Sequence, residues 1–210
     1  MCYHIYGENM ITEKQKQEFE QFSAHCRENH IPVVREQTAN LLCETIKKEK
    51  SKSILEIGTA VGFSGTLMLL TNEFAKLTTL ELDAEKCKQA QKTFEKYGVQ
   101  DRVSIINEDA LQFLENNHEQ FDFIFVDGPK GQYIKYLPYL KRAIKPNCSV
   151  FCDDVLYFGM VLDDSLVVHK KITIVRNLRA FINLVKTDET LESKLIEMED
   201  GVLIFKKKSK

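Results

Sequence analysis

The sequence alternates between short apolar runs and longer segments in which apolar residues recur every three or four positions. The runs predict buried strands at residues 53–57, 77–82, 103–107, 121–127 and 149–153. The segments between them predict helices at residues 62–73, 84–97, 109–115 and 131–142. Regular alternation of strand and helix is typical of right-handed crossovers, which build a parallel sheet covered by helices on both faces.

Further patterns flank this alternating region. Two helices are predicted before it, one at residues 14–29 with Thr12 as its cap and one after the break at Ile31-Pro32. A helix at residues 171–186 follows it, and then two extended runs, 191–197 and 202–205, with Asp200-Gly201 as a hairpin signal between them. Gly98 is predicted to end a helix and Pro146 to lie in a loop.

These patterns together predict an α/β fold: a doubly wound, mostly parallel, seven-stranded sheet with an antiparallel C-terminal hairpin. A chain of 210 residues with 43% hydrophobic and 29% charged residues has the length and composition of one ordinary globular domain. We expect a single domain over residues 1–210. Its N-terminal helices would occupy residues 1–50, and its α/β core residues 51–210.

Composition also narrows the partners and the compartment. A net charge of −2 gives no overall attraction to nucleic acid or to an anionic membrane. No apolar run approaches the length of a membrane span, and residues 1–10 lack the pattern of a signal peptide, so we expect a cytoplasmic protein with no membrane partner. The six cysteines form no Cys-x-x-Cys pair, which favours reduced thiols that serve as packing.

The first candidate site is the turn between the first predicted strand and the helix after it. Gly58 and Gly62 bracket three residues there. Glycines let a ligand approach the backbone, and the helix offers unpaired N–H groups, so the turn is a candidate cofactor cradle. The spacing fits neither a Walker loop nor the Gly-x-Gly-x-x-Gly dinucleotide fingerprint. It resembles the glycine turn of class I methyltransferases that use S-adenosylmethionine (SAM), although a tight turn with no ligand stays an alternative.

Acidic residues follow the predicted strands at their carboxyl ends, where open α/β sheets bind ligands. Glu81 lies about 20 residues beyond the glycine turn, the position from which a carboxylate holds ribose hydroxyls in nucleotide-binding folds. Asp127, Asp153 and Asp154 end two other strands. Three converging carboxylates would repel one another without a cation, which favours Mg²⁺ or another hard divalent ion. A helix cap and a solvated side chain are equally consistent with the spacing.

Five motifs occur in an order that resembles a known family. They are Ile31-Pro32-Val33-Val34, residues 55–64, residues 126–133, Asp153-Asp154-Val155-Leu156 and Asp200-Gly201. The sequence resembles the metal-dependent O-methyltransferases that include the catechol and caffeoyl-CoA enzymes. It is most similar to their small bacterial members, among them the tRNA 5-hydroxyuridine methyltransferase. The resemblance implies a Rossmann-like enzyme that uses SAM and a divalent metal, with a homodimer as the expected assembly.

The resemblance also implies a role for each matching residue. Asp127, Asp153 and Asp154 would hold the metal, and Lys130 would be the base, with Asp127 beside it in catalysis. The cofactor would be bound by Val34, Glu56, Gly58, Gly62, Ser64, Glu81, Asp109, Ala110 and Asp127. Among these, Glu56, Gly58 and Ser64 would contact the methionine end of SAM, Glu81 the ribose, and Asp109 and Ala110 the adenine, while Val34 would close over it.

This chain departs from the family pattern at two places. Asp154 stands where the family commonly has asparagine, which makes the implied metal site more anionic. Gly128-Pro129 stands where bacterial members often have Ala-Ala, and this bears on the placement of Lys130.

The metal mechanism implies an acceptor with two adjacent oxygens, a condition that both catechols and 5-hydroxyuridine meet. Residues 157–168 are predicted to line the acceptor site. Basic residues follow this segment in the sequence: His169, Lys170, Lys171, Arg176 and Arg179. These side chains could contact phosphates. A solvated helix face is the commoner explanation for such a cluster. Because the resemblance to the bacterial tRNA methyltransferase subgroup is strongest in the C-terminal half, we predict tRNA as the acceptor, with a small catechol or caffeoyl-CoA-like molecule as the alternative. A SAM-binding module without catalysis is the alternative of another class, and a nicotinamide oxidoreductase is disfavoured by the glycine spacing.

Overall fold

The structure is a computed structural model that describes residues 13–29 and 31–208. Its helices are α1 (Glu13–Glu28), α2 (Glu36–Glu49), α3 (Phe63–Thr71), α4 (Ala84–Lys96), α5 (Ala110–Asn116), α6 (Tyr133–Ala143) and α7 (Ile172–Thr187). Its strands are β1 (Ser53–Ile57), β2 (Lys76–Leu80), β3 (Val103–Ile106), β4 (Phe121–Val126), β5 (Ile144–Cys152), β6 (Leu191–Ile196) and β7 (Val202–Lys207).

Within the described residues, the strands form one seven-stranded sheet in the order β3-β2-β1-β4-β5-β7-β6. The pairs β2 with β3 and β4 with β5 are parallel, and β7 is antiparallel to both β5 and β6. The predicted fold class, a doubly wound and mostly parallel sheet with antiparallel C-terminal strands, is therefore confirmed.

The chain divides into two compact units, which are described separately. The first unit comprises residues 13–54 and 59–108, and the second unit comprises residues 55–58 and 109–208, within the described part of the chain. The expectation of a single domain stays a prediction. No helix in the described ranges is long and apolar enough to cross a membrane.

The first unit is built around aromatic packing between α1 and its neighbours. Phe19 of α1 is fully buried and stacks on Phe63 of α3, with ring centroids 4.7 Å apart. Tyr97 meets Phe19 edge to face, and its hydroxyl donates to the Glu18 carbonyl. Aromatic side chains bury the largest apolar area per residue. These contacts explain how α1 packs against its neighbours. Its predicted cap, Thr12, lies outside the described residues, as does Cys2.

The second unit has its core between the strand faces and helices α6 and α7. Phe125 and Phe123 of β4 contact Phe151 of β5, while Phe181 of α7 meets Phe205 of β7 edge to face. All five rings are fully buried. Strands buried on both faces read as continuous apolar runs, which is why the sequence pattern identified β4 and β5.

The structure corrects local details of the predicted elements. Strand β5 begins at Ile144 rather than Ser149, so Pro146 lies in an irregular part of a strand and not in a loop. The ladder passes from Phe121–Ile144 directly to Phe123–Ser149, and Pro146 is tolerated there because this bulge needs no ladder N–H from it. Helix α6 is preceded by a 3₁₀ turn at Lys130–Gln132. Gly98 follows the end of α4 with φ +68°, as predicted.

The connection between β6 and β7 depends on Gly201. Its φ is +81°, and a Cβ built there would lie 2.2 Å from Cγ of Leu156. The Gly201 and Asp200 carbonyls accept hydrogen bonds from the N–H groups of Val155 and Leu156, the residues directly after the Asp153-Asp154 pair. The Asp200-Gly201 signal therefore marks a close contact that supports the segment after β5.

We expect Gly201→Ala to destabilise the protein by about 3 kcal/mol, since left-handed strain costs about 1 to 2 kcal/mol and overpacking about 1 to 3 kcal/mol. Gly98→Ala is the matched control, because Gly98 has a similar φ of +68° and nothing within 4 Å of its added Cβ. It should cost only the strain, about 1 kcal/mol. Urea unfolding measures both values, and equal losses would contradict the packing explanation.

Candidate active site

Three carboxylates converge where β4 and β5 end in the second unit. Asp127 follows β4 directly, and Asp153 and Asp154 follow β5. One oxygen from each lies within 4.8 Å of the others. The parallel pairing of β4 with β5 causes this convergence, because Val126 is in register with Cys152 and the next residues leave the sheet at the same edge. The sequence prediction that these three residues come together is confirmed.

Backbone contacts fix the positions of these carboxylates. The Asp127 N–H donates to the Ile57 carbonyl and the Asp153 N–H donates to the Val126 carbonyl, so the ladder continues one residue past each strand. The Asp154 N–H donates to Oδ1 of Asp153 at 2.7 Å. Asp154 itself has φ +54°, a left-handed conformation that Asp and Asn tolerate better than most other residues.

Lys130 brings its amine to this cluster. Its Nζ lies 2.6 Å from Oδ1 of Asp127 and 3.6 Å from Oδ2 of Asp154. The same amine donates to the Tyr133 hydroxyl at 3.0 Å. Although Gly128-Pro129 departs from the family pattern, the 3₁₀ turn at Lys130–Gln132 still directs Lys130 to the carboxylates.

Burial and charge shift the ionisation of this group. Burial raises the pKa of Asp153 well above its ordinary value, and the charges of Asp127 and Asp154 raise it further. Burial alone would lower the pKa of Lys130. The adjacent Tyr133 hydroxyl and the three carboxylates outweigh burial and raise that pKa well above its ordinary value. The ammonium is therefore the favoured form of Lys130 in this arrangement.

Tyr133 is a residue of this site to which the sequence analysis gave no role. It is fully buried, and its hydroxyl lies 2.9 Å from the Val126 carbonyl and 3.2 Å from the Asp153 carbonyl. Burial raises the pKa of this hydroxyl well above its ordinary value, which keeps it neutral. The three-residue spacing between Lys130 and Tyr133 was the available signal, since such side chains are neighbours at the start of a helix.

The second unit also contains several of the predicted cofactor residues. Gly58 has φ +104°, and a Cβ there would lie 2.5 Å from the Asp127 carbonyl oxygen, so close backbone packing alone requires glycine. Glu56 is fully buried in β1. Asp109 is exposed and caps α5, with Oδ1 accepting from the N–H groups of Leu111 and Gln112. Ala110 is the first residue of that helix.

The first unit holds the other predicted cofactor residues. Glu81 reaches back to the glycine turn, where Oε2 accepts the Ala60 N–H at 2.9 Å and Oε1 accepts the Asp83 N–H at 3.0 Å. Gly62 has φ +79° and would place a Cβ 3.1 Å from Cα of Ala90. Ser64 lies buried in the first turn of α3, and Val34 is buried in the segment before α2.

The segment after the acidic pair is held by an arginine. Arg179 of α7 donates through Nε to the Val161 carbonyl and through Nη2 to the Met160 carbonyl, and Nη1 pairs with Asp164 at 2.7 Å. This residue was grouped in the sequence analysis with cations that could contact phosphates. The structure instead gives its guanidinium a structural role in the loop.

The cluster of carboxylates fits a hard divalent cation. Its donors are all oxygens, which Mg²⁺ and similar ions prefer, and they converge without any rearrangement of the backbone. Burial, and then the charges of Asp127 and Asp154, raise the pKa of Asp153, so a cation bound here would favour its ionised form.

Comparison with known proteins identifies the family of this chain. The sequence profile of the O-methyltransferase family matches residues 8–208. The chain belongs to the O-methyltransferase family. The prediction that it is a SAM-dependent O-methyltransferase enzyme is confirmed at this level.

Individual relatives of this O-methyltransferase carry names of the same type. The chain is 32% identical over 121 residues to a catechol O-methyltransferase of Niastella koreensis, a match that covers 55% of each protein. It is 27% identical over 173 residues to a caffeoyl-CoA O-methyltransferase of Populus kitakamiensis, covering 77% of this chain and 72% of the relative. Among solved structures, the SAH-bound methyltransferase of Podospora anserina superimposes with a TM-score of 0.80 at 25% identity, over 95% of this chain and 89% of that one.

We expect Asp153→Asn to stabilise this O-methyltransferase at neutral pH when divalent cations are removed with EDTA. The folded-state pKa of Asp153 is raised, so ionising it costs stability as pH increases. An amide avoids that cost, and its oxygen can still accept the Asp154 N–H. Because the wild type also becomes neutral in acid, the advantage should shrink as pH falls through the raised pKa. Urea unfolding between pH 5 and pH 8 measures this, and a constant difference would contradict it.

Proposed function

We propose that this O-methyltransferase transfers the methyl group of SAM to a hydroxyl of a small catechol-type molecule, aided by a divalent cation on Asp127, Asp153 and Asp154. The observation that carries the proposal is the convergence of these three carboxylates, two of which contact the Lys130 amine. Such a group suits the alignment and deprotonation of a hydroxyl that has a second oxygen beside it. The names of the catechol and caffeoyl-CoA relatives support the same class of acceptor.

For the cofactor, we assign the ribose hydroxyls to Glu81. Two backbone N–H groups orient its carboxylate, and each oxygen keeps a further lone pair with which to accept a hydroxyl proton. We assign the methionine end to Glu56, Gly58 and Ser64. The adenine is assigned to Asp109 and Ala110, and Val34 and Gly62 complete the cofactor site. SAM supplies a methyl group already activated as a sulfonium, so the protein has to align the acceptor oxygen with that methyl carbon.

We assign the divalent ion to the three carboxylates, with Mg²⁺ as the first candidate. When bound, it would hold two adjacent oxygens of the acceptor and lower the pKa of its hydroxyl. Asp154 in place of the asparagine common in the family adds one negative charge to the donor set. A more anionic set of oxygens favours tighter binding of a hard cation.

Lys130 is the proposed base for the acceptor hydroxyl. Its raised pKa means that the ammonium formed after proton transfer is stabilised by Asp127 and Asp154. The same charges also hold the amine protonated beforehand. A second positive charge on the carboxylates is therefore required for the amine to start in its neutral form, which ties the proposed base to the proposed metal.

The class of acceptor is inferred from the loop at residues 157–168. Four large apolar side chains in this loop are at least half exposed: Phe158, Leu162, Leu166 and Val168. Several large exposed apolar residues in one short segment can mark a binding surface. Arg179 is engaged with this loop and pairs with Asp164, so it is not available to a phosphate, and the exposed apolar side chains favour a small aromatic acceptor.

The tRNA acceptor predicted from the sequence is the second candidate. The observation in its favour is that His169, Lys170 and Arg176 are exposed next to this loop and could contact phosphates. The homodimer predicted from the family resemblance likewise stays a proposal.

The first experiment measures methyl transfer from labelled SAM, with Mg²⁺ or with EDTA. The acceptors are a simple catechol, caffeoyl-CoA and tRNA bearing 5-hydroxyuridine. We expect label on a catechol-type acceptor that EDTA abolishes. We also expect Lys130→Met to lower kcat by about 100-fold or more, as for loss of a general base. Label on tRNA alone would replace the acceptor assignment, and transfer that is unaffected by EDTA would remove the metal.

A second experiment separates the two arginines on α7. Arg179→Ala removes the hydrogen bonds to the Met160 and Val161 carbonyls, so we expect KM for the acceptor to rise about tenfold while KM for SAM stays unchanged, a loss of about 1.4 kcal/mol in binding. Arg176→Ala is the control, because Arg176 is exposed on the same helix. It should leave KM for a catechol unchanged. A larger effect of Arg176 than of Arg179, seen with tRNA, would favour the nucleic-acid acceptor.

A further inference from the structure

We propose that Tyr133 is a positioning residue for catalysis, whose hydroxyl orients the Lys130 amine toward the acceptor. The inference rests on the proposed role of Lys130 as the base. It concerns a buried tyrosine to which the sequence analysis gave no function, and it depends on the hydrogen-bond geometry around one oxygen atom.

The Tyr133 hydroxyl has three neighbours and only one proton. The Val126 carbonyl at 2.9 Å and the Asp153 carbonyl at 3.2 Å can only accept, so the hydroxyl proton points to one of them. The third neighbour, Nζ of Lys130 at 3.0 Å, must therefore be the donor. The Tyr133 hydroxyl oxygen therefore accepts a hydrogen bond from the Lys130 amine.

This hydrogen bond helps to determine the orientation of the Lys130 amine. Oδ1 of Asp127 at 2.6 Å and the Tyr133 oxygen at 3.0 Å each accept one N–H from Nζ. The nitrogen has three bonding directions besides the one to its carbon. Two point to these acceptors, and the third is left for the side where Oδ2 of Asp154 lies at 3.6 Å. In the neutral amine, the same two acceptors would occupy both N–H groups and direct the lone pair to that side.

The tyrosine is itself well placed to be a fixed reference. Its ring is fully buried and meets Phe181 edge to face, with centroids 5.7 Å apart. Its hydroxyl contacts the carbonyls of Val126 and Asp153, which belong to the strand ends that carry the carboxylates. A lysine side chain has four rotatable bonds, and two fixed acceptors select one of its many rotamers. The Lys130 amine is consequently held at a fixed position relative to the carboxylates.

The matched control is Tyr136, one turn further along α6. It is almost fully buried and its ring lies 6.3 Å from that of Tyr133. Within the described part of the chain, the Lys130 amine contacts Asp127, Asp154 and Tyr133, and not the Tyr136 hydroxyl. Replacing either tyrosine with phenylalanine removes one buried hydroxyl, but only Tyr133→Phe removes an acceptor from Lys130.

The test combines kinetics in a double-mutant cycle with crystallography. We expect Tyr133→Phe to lower kcat about 10- to 100-fold with KM for SAM within twofold, and Tyr136→Phe to leave kcat within twofold. In the Lys130→Met background, Tyr133→Phe should have no further effect on kcat, since its action passes through the lysine. Equal effects of the two tyrosines, or additive effects of Tyr133→Phe and Lys130→Met, would overturn the proposal.

Crystal structures of the wild type and of Tyr133→Phe keep the test independent of activity. We expect the Lys130 side chain to adopt several rotamers in the variant, or its Nζ to move away from Asp127. A single unchanged rotamer would overturn the positioning role even if no acceptor were found. A different result separates the two proposals. If Nζ moves in Tyr133→Phe but Lys130→Met keeps a normal kcat, Tyr133 does position the amine and Lys130 is not the base.

Discussion

Electrostatic repulsion among Asp127, Asp153 and Asp154 is the constraint on which the candidate site depends. Parallel pairing of β4 with β5 delivers these carboxylates to one edge of the sheet, and one oxygen of each lies within 4.8 Å of the others. Backbone hydrogen bonds prevent them from moving apart. The protein compensates this charge in part through Lys130, which explains why a long, flexible side chain is largely shielded from solvent here.

The same repulsion lowers the stability of the folded protein, although the proposed function needs the carboxylates that cause it. A cluster of like charges with one buried member destabilises the folded protein at neutral pH, and a bound cation reverses that cost. Stability would therefore be coupled to occupancy of the proposed metal site. Under that proposal, substitutions that neutralise the cluster stabilise the folded protein and remove the proposed metal ligands.

Much of the fold and part of the site followed from sequence pattern, for identifiable reasons. Apolar runs located β4 and β5 because both are buried on both faces, and parallel topology then brought the acidic residues at their ends together. Pro146 was misplaced because a bulge in β5 suspends the ladder where proline would be excluded. The spacing between Lys130 and Tyr133 indicated that these two side chains are neighbours, but the contacts of Tyr133 and Arg179 with backbone carbonyls could not be predicted. Every residue has a carbonyl, so the sequence does not distinguish the ones that these side chains contact.

The anchoring of the acceptor loop by Arg179 has an evolutionary consequence. The arginine holds the carbonyl oxygens of Met160 and Val161, atoms that every residue type provides. Side chains along the loop can therefore be exchanged without loss of these two hydrogen bonds. Substitution at exposed positions such as Phe158 and Leu162 would therefore change the surface of the loop while its backbone contacts with Arg179 are kept.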